Sequence, residues 1–225
     1  MEVVAETSTI WQSLQTFWQS LQTLDEQLFL LVNRTWVHPW ADQFFVFLTN
    51  MHKMAWVKWG LLPLVLALWF YFQGRNTYKV VLVLALTVAM TDTLGYRVFK
   101  EHIDRPRPNN TAHLDGVLRL PHSPQSGSFP SNHALNTFTG AMILSWYYPG
   151  LWPVYFSIAA LTAYSRVYVG VHYPSDVVAG ALMGLLIVVL LHRILLRHLT
   201  WIHPEIRRSR KGTYVVDRPR WLDFR

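Results

Sequence analysis

The chemistry-bearing residues fall in three short clusters. The longest is Ser165-Arg166-Val167-Tyr168-Val169-Gly170-Val171-His172-Tyr173-Pro174-Ser175-Asp176. Pro174 suits the first turn of a helix, where its missing N–H needs no partner. A helix starting near His172 would put Asp176 about one turn below it, on the same face. A carboxylate there holds one imidazole nitrogen protonated and leaves the other free to attack. Arg166 can hold an anion alongside. The second cluster is Ser128-Phe129-Pro130-Ser131-Asn132-His133, and the third is Lys100 followed by Arg105-Pro106-Arg107-Pro108. Each has a plain structural explanation on its own. Lys and Arg after an apolar span are usually interfacial anchors, and a histidine at a helix start usually serves structure. Jointly they supply Lys100, Arg107 and Arg166 as cations, two helix N-termini and two histidines. Converging cations and helix N-termini favour a phosphate dianion. Two histidines with separate partners can divide the work of nucleophile and acid. Spacing leaves open which of them attacks, although only His172 has a carboxylate at helical spacing.

The elements that must carry these clusters are apolar. The chain is 52% hydrophobic and 15% charged, with its apolar residues in long blocks, which points to a membrane protein rather than a soluble core. Five blocks stand out: Met54–Phe72, Val80–Phe99, Ala134–Tyr148, Leu151–Val169 and Val177–Leu196. Most approach the ~20 residues needed to cross the hydrocarbon, and the short Ala134–Tyr148 block is expected to begin at Ser131. Links between blocks are brief except Glu101–Pro130, a length that is usually functional or disordered. Within it, 101–108 and 127–130 are expected to be ordered and the middle mobile.

Charge sets the orientation. Of 20 Lys and Arg, 9 lie from Arg193 onward, after the last apolar block. Such a distribution marks a cytoplasmic tail under the positive-inside rule and explains the net charge of +7 without nucleic acid. Alternating spans then place the Gln73–Lys79 link inside, where Arg75 and Lys79 agree, and bring all three clusters to the non-cytoplasmic face. With no cysteine there is no disulfide framework and no thiolate chemistry or thiolate metal site.

Residues 1–50 differ in character. The acidic start Met1–Glu6 is unlike a basic leader, and no cleavable signal peptide is expected. Trp11, Leu14, Trp18 and Leu21 repeat with a period of seven on one helical stripe, suiting an amphipathic helix in the membrane interface. Leu28–Val37 and Ala41–Asn50 read as two short helices or one irregular crossing. Asp92 and Arg97, inside an apolar block, are expected to pair internally or to reach the outer surface. Asn33-Arg34-Thr35 and Asn109-Asn110-Thr111 match the glycosylation pattern, which is common by chance.

In this order and spacing the three clusters resemble the type 2 phosphatidic acid phosphatase family, related to vanadium haloperoxidases and bacterial class A acid phosphatases. Lys100, Arg107 and Pro108 match its first motif. Pro130-Ser131-Asn132-His133 matches its second, Pro-Ser-Gly-His, except at Asn132. Ser165, Arg166, His172 and Asp176 match its third. The resemblance covers roughly residues 55–195.

The resemblance implies an all-α, polytopic helical membrane bundle of about six transmembrane helices. It implies attack on phosphorus by His172 to give a phosphohistidine, with Asp176 orienting His172. His133 would protonate the leaving lipid oxygen and then activate water. Lys100, Arg107, Arg166, Ser131 and Asn132 would bind the phosphoryl group, with no metal and no cofactor. The expected organisation is an interfacial region over residues 1–50 with room for a first crossing, a phosphatase core over 51–200 and a basic cytoplasmic tail over 201–225. The expected substrate is a lipid phosphate or diphosphate: undecaprenyl diphosphate, phosphatidylglycerol phosphate, phosphatidic acid or lipid A phosphate, with a lean to the first. The expected setting is a bacterial inner membrane, the site facing outward. Two rivals keep the same residues or fold: a lipid phosphotransferase, and a non-enzymatic lipid-binding protein.

Overall fold

The computed structural model describes residues 2–74, 77–111, 114, 126–194, 206–208 and 214–216. Seven α-helices follow in order among them: α1 (Glu2–Leu30), α2 (Pro39–Asn50), α3 (Leu62–Gln73), α4 (Thr77–Leu94), α5 (Asn132–Tyr147), α6 (Trp152–Tyr168) and α7 (Pro174–Ile194). A short antiparallel pair, β1 (Ile206–Arg208) and β2 (Tyr214–Val216), lies in the tail and was not expected from the sequence.

The core is helical and α5 is its hub, packed against α4, α6 and α7. Its start follows from Ser131, the N-cap, whose Oγ accepts from the Ala134 N–H at 3.5 Å. The α5–α7 contact is unusually close. A Cβ on Gly180 would stand 2.5 Å from the Ser131 carbonyl oxygen, and one on Gly184 closer still to that of Leu135. Small residues four apart let helix backbones touch in this way. The same approach lets the Ser131 N–H donate to the Asp176 carbonyl at 3.0 Å, tying the start of α5 to the start of α7. α4 turns Thr77, Val80, Val83, Thr87 and Thr91 inward, a single stripe at helical spacing. Its last turn, Gly95–Lys100, widens into a π-helical turn that ends on Lys100.

Among the described residues, two helical segments are long and apolar enough to cross a membrane, Thr77–Lys100 and Pro174–Leu191. The bent pair Pro39–Lys53 and Val57–Gln73, angled by 58°, makes a third if taken as one span. α5 and α6 have 16 and 17 residues and fall just short on length. The apolar blocks thus become helices close to their expected bounds, while six crossings exceed what helix length alone counts. Gly74 closes α3 with φ 70°, a left-handed position where glycine has no Cβ penalty.

Of the two short helices expected in residues 24–50, the second is present as α2, whereas the first is the continuation of a much longer helix. α1 runs unbroken to Leu30, passes through a π-helical turn (Leu31–Thr35) and gives way to α2, capped by His38, whose Nδ1 accepts from the Trp40 N–H at 3.2 Å. Along α1, Trp11, Leu14, Trp18 and Leu21 all stay exposed, and Thr16, Ser20 and Thr23 donate to carbonyls one turn back. Its last turns do the opposite. Phe29 is fully buried against Tyr173, at 5.6 Å between ring centroids, a burial worth about 2 kcal/mol. Much of the Glu101–Pro130 stretch expected to be mobile, including His113 and His122, lies outside the described residues, as does Arg75. Residues 108–110, however, form a 3-10 turn held by the Asn109 N–H on the Gly170 carbonyl at 3.1 Å.

Candidate active site

The third cluster folds as a turn between two helices rather than as one helix. α6 ends at Tyr168, and Gly170 takes φ 79°. The N–H groups of Val171 and His172 both donate to the Arg166 carbonyl, at 3.2 and 3.3 Å. α7 then begins at Pro174. His172 therefore precedes the helix. Asp176 sits three residues past Tyr173 and accepts from its N–H at 2.9 Å, as the acidic member of a capping box does. That bond points the Asp176 carboxylate back at the turn, with Oδ2 3.5 Å from His172 Nδ1. At this distance the pair is longer than a well-formed hydrogen bond, and Nδ1 has no closer partner.

Arg107 meets the other side of the imidazole. Its Nη1 lies 3.3 Å from His172 Nε2 and donates to the Val171 carbonyl at 2.9 Å. Nε donates to the Ser126 carbonyl at 2.7 Å and Nη2 to that of Gly127 at 3.2 Å. A guanidinium can only donate, so Nε2 is the lone-pair nitrogen and the Nδ1 proton faces Asp176. Complete burial pushes the His172 pKa down to about 3; Asp176 works the other way, and Arg107 and Arg166 add to the lowering. His172 is thus a neutral imidazole at physiological pH. Burial also lowers the pKa of Arg107.

The remaining expected residues converge from α4, α5 and α6. Lys100, Arg107 and Arg166 lie within electrostatic reach of one another, and His133 within reach of Arg166, His172 and Lys100. Arg166 is 5% exposed; its Nη1 donates to Thr49 Oγ1, while its Nε is buried without a protein partner. Ser128 Oγ is buried and unbonded likewise. An orphaned buried donor costs about 1–3 kcal/mol, and an oxyanion supplies acceptors for such groups. Ser131 is fully buried at the N-cap of α5, so the first N–H groups of that helix, on Asn132 and His133, are the ones an anion would meet. Among the described residues, no group of three His, Asp or Glu is placed to hold a metal.

Several sequence expectations change. The Asn132 side chain turns to α4, where Nδ2 donates to Asp92 Oδ1 at 3.0 Å beside the matching bond from Asn136 at 2.8 Å. Only its backbone N–H is left for a phosphoryl oxygen, and Asp92 is bonded to asparagines rather than to Arg97. Arg105 is held between two carboxylates: Nη1 binds Asp176 Oδ1 at 2.7 Å and Nη2 binds Asp25 Oδ2 at 2.6 Å. Burial opposes its charge, but the two carboxylates outweigh that and raise its pKa. Asn33 and Asn109, at 2% and 7% exposure, are too buried to accept a glycan, and Asn33 Nδ2 donates to the Tyr168 carbonyl at 2.6 Å.

The sequence clusters also missed a contribution from the N-terminal region. Thr49 reaches Arg166, and the His52 ring packs edge-on against His133, centroids 5.1 Å apart. Asp42 accepts from the Tyr168 hydroxyl at 2.6 Å. No motif signals these residues; only the fold brings them to the site.

Comparison with known proteins decides the family. Residues 76–199 match the PAP2 superfamily. This chain belongs to that superfamily. It is 30% identical to a lipid A 4'-phosphatase of Bacteroides thetaiotaomicron, over 72% of each chain. It is 34% identical to an undecaprenyl-diphosphatase of Sulfolobus acidocaldarius, over 70% of this chain and 72% of that one. The structure resembles the PAP2-type phosphatidylglycerolphosphate phosphatase of Bacillus subtilis with a TM-score of 0.58 at 28% identity, covering 79% of this chain and 87% of that one. The helical membrane fold and the PAP2 assignment expected from the motifs both hold.

Proposed function

We propose that this PAP2-type membrane lipid phosphatase hydrolyses a lipid phosphate or diphosphate through a phosphohistidine on His172. The observation that carries the mechanism is the pair of contacts on that imidazole, Arg107 Nη1 at 3.3 Å from Nε2 and Asp176 Oδ2 at 3.5 Å from Nδ1. The Nε2 lone pair attacks phosphorus, and the bond to the lipid oxygen breaks. The Nδ1 proton stays where Asp176 stabilises the cation that forms. His133 gives its proton to the departing lipid oxygen, then takes one from the water that cleaves the phosphohistidine. Lys100, Arg107, Arg166 and the first N–H groups of α5, the helix that Ser131 caps, stabilise the charge on the phosphoryl oxygens, work that a metal does elsewhere. On that account EDTA leaves turnover intact.

The relatives' names favour lipid A phosphate, undecaprenyl diphosphate and phosphatidylglycerol phosphate as candidates, and the motif resemblance adds phosphatidic acid. Orientation follows from charge. Gly74 lies at the opposite end of α4 from Lys100, and the basic residues from Arg193 onward follow α7, so the site faces the non-cytoplasmic side of an inner membrane. A cysteine at the exposed Asn110 should react with an impermeant thiol reagent in intact cells; labelling only after lysis would invert the topology.

Phosphate release by purified protein in EDTA, across those lipids and beside His172→Ala, tests the reaction. Rapid release by wild type and none by the variant is expected. Transfer of phosphate to a second lipid without free phosphate would make the protein a phosphotransferase.

A further inference from the structure

Asp176 can orient His172 only if its own carboxylate cannot turn, and what prevents turning lies partly outside the PAP2-matching segment. Oδ2 is tied to the Tyr173 N–H at 2.9 Å and Oδ1 to Arg105 Nη1 at 2.7 Å, so the carboxylate is fixed from both ends. Arg105 is in turn fixed by Asp25, at 2.6 Å, and lies 4.0 Å over the Tyr173 ring. Asp25 is on α1, well before residue 76, where the family match begins. It is 8% exposed and also caps the first turn of α7, since Oδ1 accepts from the Ser175 N–H at 2.8 Å and Oδ2 from the Ser175 hydroxyl at 2.5 Å. Asp25, Phe29 and Asn33 follow one another at intervals of four, and all three are buried. The end of α1 is thus inserted into the site, while residues 10–24 of the same helix remain exposed.

We propose that Asp25 and Arg105 are positioning residues for phosphoryl transfer, acting on His172 through Asp176. Arg105 lies between two carboxylates. With Asp25 present its charge is shared, and Asp176 keeps the negative charge that faces His172. Without Asp25 the guanidinium is free to pivot, and its whole charge falls on Asp176, weakening the hold on the Nδ1 proton. Neither residue touches the phosphoryl group. The proposal rests on His172 as nucleophile, so its test has one arm that needs no turnover.

In the first arm, Asp25→Asn, Asp25→Glu and Arg105→Lys are assayed as full-length protein in mixed micelles, on whichever of the four candidate lipids wild type hydrolyses fastest. Asp25→Asn should lower kcat about 10-fold with KM nearly unchanged, Asp25→Glu should recover part of the loss, and in an Asp176→Asn background the Asp25 effect should fall below about 2-fold. In the second arm, imidazole 15N shifts of His-labelled protein report the His172 tautomer. Wild type should show the Nδ1-protonated form, and Asp25→Asn a mixture. Unchanged kcat and tautomer in a stably folded Asp25→Asn protein, or full additivity with Asp176→Asn, would overturn the proposal. Wild type inactive on all four lipids but with a tautomer that responds to Asp25 would count against the phosphatase reading and leave the positioning network standing.

Discussion

The two histidines of the site live in different surroundings. His172 is 2% exposed, with an arginine at Nε2 and a carboxylate at Nδ1. His133 is only partly buried, in the first turn of α5, and its ring has an imidazole edge against it rather than a carboxylate. A nucleophile has to be neutral, oriented and shielded from water, which matches the first setting. A group that both gives and takes a proton has to face leaving group and solvent in turn, which matches the second. Their different partners are what the proposed division of labour between nucleophile and acid requires.

The sharpest break of that contrast is His172→Ala, expected to reduce turnover roughly 10^4-fold or more and to remove phosphoenzyme formation in a rapid-quench assay with 32P-labelled lipid. His133→Ala should behave differently. Hydrolysis of a lipid ester should fall on the order of 10^2 to 10^4-fold, while an aryl phosphate, whose leaving group needs no proton, should still phosphorylate His172. Equal losses on both substrates would erase the distinction.

Acid should expose the burial of His172. Its folded pKa, about 3, lies below the ordinary histidine value of 6.5, so between these values the unfolded chain binds a proton that the folded chain refuses. Stability is therefore lost as pH falls from 6.5 toward 3. The Tm of wild type in detergent should drop more steeply across that window than that of His172→Asn. The smallest effect is expected at His52. Its ring contact with His133 is of a kind worth about 0.5–1.5 kcal/mol, and His52→Ala should cost several-fold in kcat, with phosphoenzyme formation from an aryl phosphate unchanged.

How much of this was legible depends on sequence distance. Asp176 stands four residues after His172, and Ser131 two before His133, so local geometry carried both. Even there the reason differed: His172 is in a turn, and a capping bond from Tyr173, not a shared helix face, turns Asp176 toward it. Asp25 and Arg105 are 80 residues apart and Thr49 and Arg166 117, and no periodicity encodes pairs that only the packing of α1 and α2 creates. Asn132 was legible in part. Its place in a motif points to phosphate, which its backbone N–H remains placed to meet, but nothing local shows that Asp92, one helix away, takes up its side chain. Length alone does not count α5 and α6, of 16 and 17 residues, as crossings, and the block behind α5 is already short in the sequence.

The contact of Gly180 and Gly184 with the backbone of α5 has a mechanical consequence. His172 and His133 stand at the heads of two helices with no layer of side chains between them to compress. A thicker or thinner bilayer can tilt that pair, but tilts it as one body. The spacing of the two imidazoles is therefore a property of the chain and not of the lipid around it, which suits an enzyme that must work in a membrane whose composition its own reaction alters.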